Sequence, residues 1–225
     1  MESGGIMMLL QVNNVHYEDK GQEILKGISF EVEKGDCLSI IGESGSGKST
    51  LLRLCADLIT PTSGEIFYAG KSYTDYNPTQ LRRSISYCVQ TPILFGERVE
   101  DNLAFPFKIR HKKLDEKQVI HLLESLNLEA SYLHKRVEDL SGGEKQRIAF
   151  IRNILFKPDI LLLDEVTASL DAINTQWIEN CVTQLQEQGI TLIWVTHDLE
   201  QSQRLFNKRL TIRGGKVEKM EVLKR

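Results

Sequence analysis

Gly42-Glu43-Ser44-Gly45-Ser46-Gly47-Lys48-Ser49-Thr50 fits the pattern G-x-x-x-x-G-K-S/T at every position, and no other stretch restricts the fold of this chain so strongly. Its glycines let the backbone take angles that a Cβ forbids, so that successive N–H groups can turn inward around phosphate oxygens. Lys48 adds a positive charge for the β- and γ-phosphates, and the Ser49 hydroxyl is a hard oxygen suited to Mg²⁺. The apolar run Cys37–Ile41 predicts a buried strand before the loop, and Ser49–Ala56 predicts a helix after it, whose N-terminus favours anions. Outside such a setting the same letters would make an ordinary glycine-rich turn. Inside it they predict an α/β fold that holds a nucleoside triphosphate.

The 225 residues are enough for one large domain or two small ones, and a hydrophobic fraction of 41% can fill a substantial core. Twenty-eight Lys and Arg against 31 Asp and Glu give a formal charge of −3, with no basic excess for gripping nucleic acid. No apolar run reaches the ~18 residues that span a bilayer, and no basic-then-apolar leader opens the chain. A soluble protein is expected, with any membrane role arriving through a partner. Cys37, Cys55, Cys88 and Cys181 contain no C-x-x-C pair and predict buried free thiols in a reducing cytoplasm.

Along the chain, residues 1–8 read as a loose start, with folded structure expected from Leu9. Alternating apolar residues between Leu9 and Phe30, interrupted at Glu18–Gly21, predict antiparallel strands. Tyr17 precedes that turn, where its ring could either pack or stack on a base. Strands are predicted over Glu65–Ala69 and Ser84–Gln90, the second placing Gln90 at the carboxyl end where α/β sheets collect ligands. From Thr91 to about Leu140 the character changes. Phe95, Phe105, Phe107, two prolines and the basic run Lys108–Lys113 precede helical periodicity at Val119, Leu122, Leu123 and Leu126, which predicts an inserted helical subdomain. The basic run reads as either a patch for anions or a solvated loop. Beyond it, Ile160–Leu163 and Ile190–Val195 predict fully buried strands, Ala172–Gln188 and Leu199–Phe206 helices, and Lys208–Met220 a terminal hairpin. With the chain ending there, no appended regulatory domain is expected.

The chemistry gathers at the strand ends. Asp164, closing an apolar strand, suits the Mg²⁺ shell. Glu165 is the candidate for polarising an attacking water, with His197 placed to bond both Glu165 and the γ-phosphate. Leu140-Ser141-Gly142-Gly143-Glu144-Lys145-Gln146 adds a second anion-suited turn ahead of a helix. One nucleotide needs a single such site from its own subunit, so the second suggests a nucleotide carried by another copy.

This segment resembles the signature of ATP-binding-cassette (ABC) ATPases. The likeness extends over nearly the whole chain. Tyr17 matches the base-stacking aromatic of that family, Gly42–Ser49 its Walker A loop, Gln90 its Q-loop, Asp164 and Glu165 its Walker B pair, Ser169–Asp171 its D-loop and His197 its switch histidine. The resemblance implies a single domain over 9–225: an α/β RecA-like P-loop NTPase core with an N-terminal antiparallel β-subdomain (9–90 and 141–225), and an inserted α-helical subdomain (91–140). It also implies an ATPase using ATP and Mg²⁺, with Lys48, Glu165 and His197 catalytic and Ser49, Gln90 and Asp164 at the metal. The nucleotide would be bound by Tyr17, residues 42–50, Gln90 and His197, with Ser141, Gly142, Gly143 and Asp171 completing the site in a head-to-tail homodimer formed on ATP binding. An integral membrane permease would hold the chain on the cytoplasmic face of the membrane. The stretches Gln90–Gly96 and Val99–Pro106 are similar to the compact FetA-type bacterial subgroup linked to iron export. Phe95, Phe105 and Phe107 fit a docking groove or subdomain core equally well. A non-transport ABC protein would call for tandem cassettes, a basic arm or a coiled-coil insertion, and a P-loop kinase would leave Glu165 and the second turn without purpose.

Overall fold

The computed structural model describes residues 8–223; of the loose start expected over 1–8, all but Met8 lies outside them. Strand β1 (Met8–Asp19), beginning one residue earlier than expected, pairs antiparallel with β2 (Gln22–Glu33). Lys20 and Gly21 join them with φ of 49° and 79°, the left-handed pair that a two-residue hairpin needs to match strand twist. Strand β3 (Cys37–Ile41) leads into the phosphate loop and α1 (Lys48–Cys55). Strands β4 (Ser63–Tyr68) and β5 (Lys71–Ser72) then complete a four-stranded antiparallel sheet in the order β2-β1-β4-β5.

The second sheet contains β3 with β6 (Ile85–Cys88), β7 (Ile160–Asp164), β8 (Thr191–Val195), β9 (Lys208–Arg213) and β10 (Lys216–Val222), in the order β10-β9-β3-β8-β7-β6. All its pairings are parallel except β9 with β10. Parallel strands covered on both faces read as unbroken apolar runs, and Ile160–Leu163 is such a run. Leu161, Leu163, Leu192 and Trp194 join one core cluster; Ile160, Leu162, Ile193 and Val195 join the other, which also holds α1 and the antiparallel sheet. Each fully buried aliphatic side chain contributes about 1.5–3 kcal/mol relative to exposure.

The remaining α-helices among the described residues are α2 (Pro78–Ser84), α3 (Val99–Lys108), α4 (Glu116–Ser125), α5 (Gly142–Ile154), α6 (Ala172–Glu187) and α7 (Leu199–Leu205). Two differ from the sequence expectation. The strand expected over 84–90 is confined to Ile85–Cys88, because Asn77 caps α2 through Thr79 N at 2.9 Å and carries the helix as far as Ser84. Gln90 therefore lies two residues beyond the strand. Helix α3 was hidden by Pro106 and the mixture of aromatic and polar residues around it. Its buried Asn102 holds the preceding loop by donating to Phe95 O at 2.7 Å and accepting from Phe95 N at 3.0 Å. All four cysteines are buried, with burial pushing Cys55 up to about 12 and Cys181 to about 11.

Candidate functional site

The phosphate loop can be built only with its glycines. A Cβ on Gly42 would fall 2.1 Å from Ile212 O of β9, and one on Gly47 would fall 2.5 Å from Leu25 Cδ2 of β2, with both residues at positive φ. The loop leaves its own groups poised. Ser46 Oγ is buried with no hydrogen-bond partner. Lys48, 5% exposed, donates from Nζ to Gly42 O at 3.0 Å and Glu43 O at 2.8 Å. Burial lowers its pKa, opposed by the charges of Glu165 and Asp164.

At the end of β7, Asp164 Oδ1 accepts from Ser49 Oγ at 2.9 Å, and Oδ2 accepts from Tyr87 Oη at 2.8 Å. Burial raises the Asp164 pKa against the pull of these two bonds. Glu165 follows at φ 48°, a left-handed angle that costs a non-glycine residue of order 1–3 kcal/mol. Its amide donates to Val195 O at 3.1 Å, which pins the kink to β8. The carboxylate is gripped from two sides. Gln90 Nε2 donates to Oε2 at 3.0 Å, and His197 Nε2 lies 2.8 Å from Oε1. Loops after three neighbouring strands, β6, β7 and β8, thus converge on one side chain. Together with Ser44, Gly45, Gly47, Lys48, Ser49 and Thr50 these residues line a cavity of about 480 Å³, closed on one side by Gln22 and Ile24 of β2.

Other expected residues lie elsewhere. Tyr17 is half-buried opposite Leu25 in the β1–β2 ladder and does not line the cavity. Ser141 caps α5, accepting from Glu144 N at 3.3 Å while Glu144 Oε2 accepts from Ser141 N at 2.6 Å. Burial works against the Glu144 carboxylate, but bonds from Tyr132, Ser141 and Lys135 outweigh it and hold the pKa at about 2. Asp171 caps α6 through Asn174 N at 2.8 Å, and a Cβ on Gly143 would meet that Asn174 at 3.2 Å. Ser141, Gly142, Gly143 and Asp171 therefore gather at the adjoining N-termini of α5 and α6, outside the phosphate cavity. Tyr87 was missed by sequence reasoning; its contact with Asp164 exists only because β6 lies beside β7.

The aromatic cluster separates into two. Phe95 and Phe105, 42% and 43% exposed, meet edge-on with centroids 5.3 Å apart. Phe107 is 3% exposed and packs on Phe156, so of the two readings open for these rings Phe107 takes the core one. The basic run is not simply solvated: the Arg110 guanidinium and Lys112 ammonium lie 4.4 and 5.3 Å from the Phe156 ring centre. Arg83, Arg110 and Arg152 line a cavity of about 290 Å³ with Phe105 and Phe156. None of the three forms an ion pair among the described residues. Among those residues no helix is long and apolar enough to cross a membrane.

Comparison with known proteins adds sequence and fold relatives. The family described as ABC transporter matches residues 25–168. The chain is 44% identical over 194 residues to the probable iron export ATP-binding protein FetA of Escherichia coli (strain K12), a match covering 86% of each protein. A bacterial Atm1-family ABC exporter with ATP bound superposes with a TM-score of 0.86 at 26% identity, over 99% of this chain and 41% of that one. A dimeric ATP-binding cassette in a post-hydrolysis state, bound to ADP and Pi, gives a TM-score of 0.86 at 29% identity over 96% of this chain and 100% of the other.

Proposed function

We propose, from the premise that the chain belongs to the ABC transporter family and is an ATP-hydrolysing, ATP-binding subunit, that each copy builds half of two hydrolytic sites and that closure of the pair drives a membrane permease. The observation that carries this reading is the separation of the two anion-suited segments. The phosphate loop faces a cavity holding Glu165, Gln90 and His197, while Ser141 to Gly143 lie outside it.

In this reading Gly42, Glu43, Ser44, Gly45, Ser46 and Gly47 wrap the phosphates with backbone N–H groups, and Lys48 exchanges its two carbonyl contacts for β- and γ-phosphate oxygens. Thr50 continues the loop into α1, and Tyr17 supports the base. The metal donors fit Mg²⁺: Ser49, Asp164 and Gln90 offer hard oxygens, and no group of three or more His, Cys, Asp or Glu able to surround a metal exists among the described residues. A small cation that retains water and phosphate oxygens suits so sparse a set. When bound, Mg²⁺ neutralises charge developing on the phosphate oxygens. Glu165, oriented by Gln90 and His197, polarises the attacking water. Ser141, Gly142, Gly143 and Asp171 of a second copy close over the γ-phosphate, giving a two-fold dimer.

The permease docks on the face carrying Phe95 and Phe105 and holds the chain at the cytoplasmic side of the membrane. The cargo reading rests on the FetA relative: iron export, testable by the iron content of cells lacking the gene. For the motor itself, Glu165→Gln loaded with ATP should elute as a dimer from a sizing column and revert to monomer when Ser141→Arg is added. An ATP-loaded Glu165→Gln protein that stays monomeric refutes the shared site.

A further inference from the structure

The backbone around His197 is fixed on both sides by one buried residue, Gln201. Thr196 Oγ1 donates to Gln201 Oε1 at 2.6 Å, and Gln201 N donates to Asp198 Oδ1 at 2.9 Å. Thr196 Oγ1 also accepts from Asp198 N at 3.1 Å. Gln201, 2% exposed at the start of α7, donates from Nε2 to Glu179 Oε1 at 2.9 Å. Glu179 is 3% exposed on α6, and its other oxygen accepts from Arg204 Nη2 at 2.7 Å. It does not line the phosphate-loop cavity.

A carboxylate only accepts hydrogen bonds, so Glu179 compels the NH₂ end of Gln201 to face it and the carbonyl end to face Thr196. Thr196 must then give its proton to Gln201, which leaves a lone pair for the Asp198 N–H. One negative charge thereby sets the direction of a hydrogen-bond chain that terminates on either side of His197. We propose that Glu179 is a positioning residue for hydrolysis, holding His197 against Glu165 without touching the nucleotide. The inference rests on the role given to His197 above.

Steady-state ATPase assays on the full chain test it with Glu179→Gln, His197→Ala and the double variant. Glutamine can present either end to Gln201, so kcat should fall about five- to tenfold while KM for ATP stays within about twofold. In the His197→Ala background the same change should have no further effect. Glu179→Asp keeps an acceptor-only group and should retain more turnover than Glu179→Gln. Losses that multiply, or unchanged kcat in a folded Glu179→Gln protein, overturn the proposal. If His197→Ala has no measurable turnover, NMR signals of the His197 ring decide: they should shift in Glu179→Gln and not in the exposed control Glu187→Gln, and unshifted signals overturn it. Normal turnover in His197→Ala alone would remove the role of the histidine itself, and the ring signals would then judge Glu179 separately.

Discussion

Lys48 is buried yet meets only two loop carbonyls, so binding a triphosphate exchanges neutral acceptors for charged ones. A hydrogen bond to a charged group contributes about 1.5–3 kcal/mol. Lys48→Ala should therefore weaken ATP binding roughly 10- to 150-fold by calorimetric titration, and an unchanged Kd would remove its assigned role. Glu144 gives a pH prediction of definite sign. Its folded pKa of about 2 lies below the ordinary 4.5, so its stabilisation is complete above about pH 4.5 and is lost as pH falls towards 2. Urea unfolding should show a constant gap between the native chain and Glu144→Gln above that range, closing on acidification. At this scale the sequence was readable wherever a residue acts through its immediate neighbours, as Lys48 and Ser49 do. Tyr87 was unreadable because its hydroxyl reaches Asp164 across a strand pairing, and Gln201 because the carboxylate that orients it, Glu179, comes from a different helix.

The elements most legible in the sequence are β3, α1, β7 and β8, where a phosphate loop or an unbroken apolar run leaves little choice of conformation. Helices α2 and α3 were not legible. Asn77-Pro78 is a helix start signal that would have located the first, but the second gives no clean period. Its apolar residues divide between a buried side (Leu103, Phe107) and an exposed one (Phe105), with Pro106 between them. That division gives the element its prediction. Phe95→Ala with Phe105→Ala removes an exposed edge-on ring pair and should weaken co-purification with the permease while leaving the Kd for ATP within about twofold. Equal loss of both would return the pair to the core. Arg83, Arg110 and Arg152 line the adjoining cavity without carboxylate partners among the described residues, so a permease segment docking there, as proposed, should carry acidic residues.

For the whole molecule, the question is which parts of the site one chain can assemble. The cavity of Lys48, Gln90, Glu165 and His197 is complete in a single copy; the Ser141 and Asp171 ends of α5 and α6 stand apart from it. The sequence pointed to all of these residues, but only the sheet order tells which of them share a cavity. Complementation tests the assembly. Lys48→Ala damages one half of the site and Ser141→Arg the other, so a mixed dimer retains one intact site and either pure dimer has none. An equimolar mixture, about half of it mixed dimers by chance, should regain ATPase activity that neither variant shows alone. No recovery on mixing would count against shared sites.

The four cysteines have a practical consequence for testing the proposed pairing of two copies. All four are buried, and burial raises the thiol pKa of Cys55, Cys88 and Cys181, so maleimide reagents should pass them by. A fluorophore attached through Ser131→Cys, at an exposed position, would then report the approach of two copies in real time against an otherwise native background.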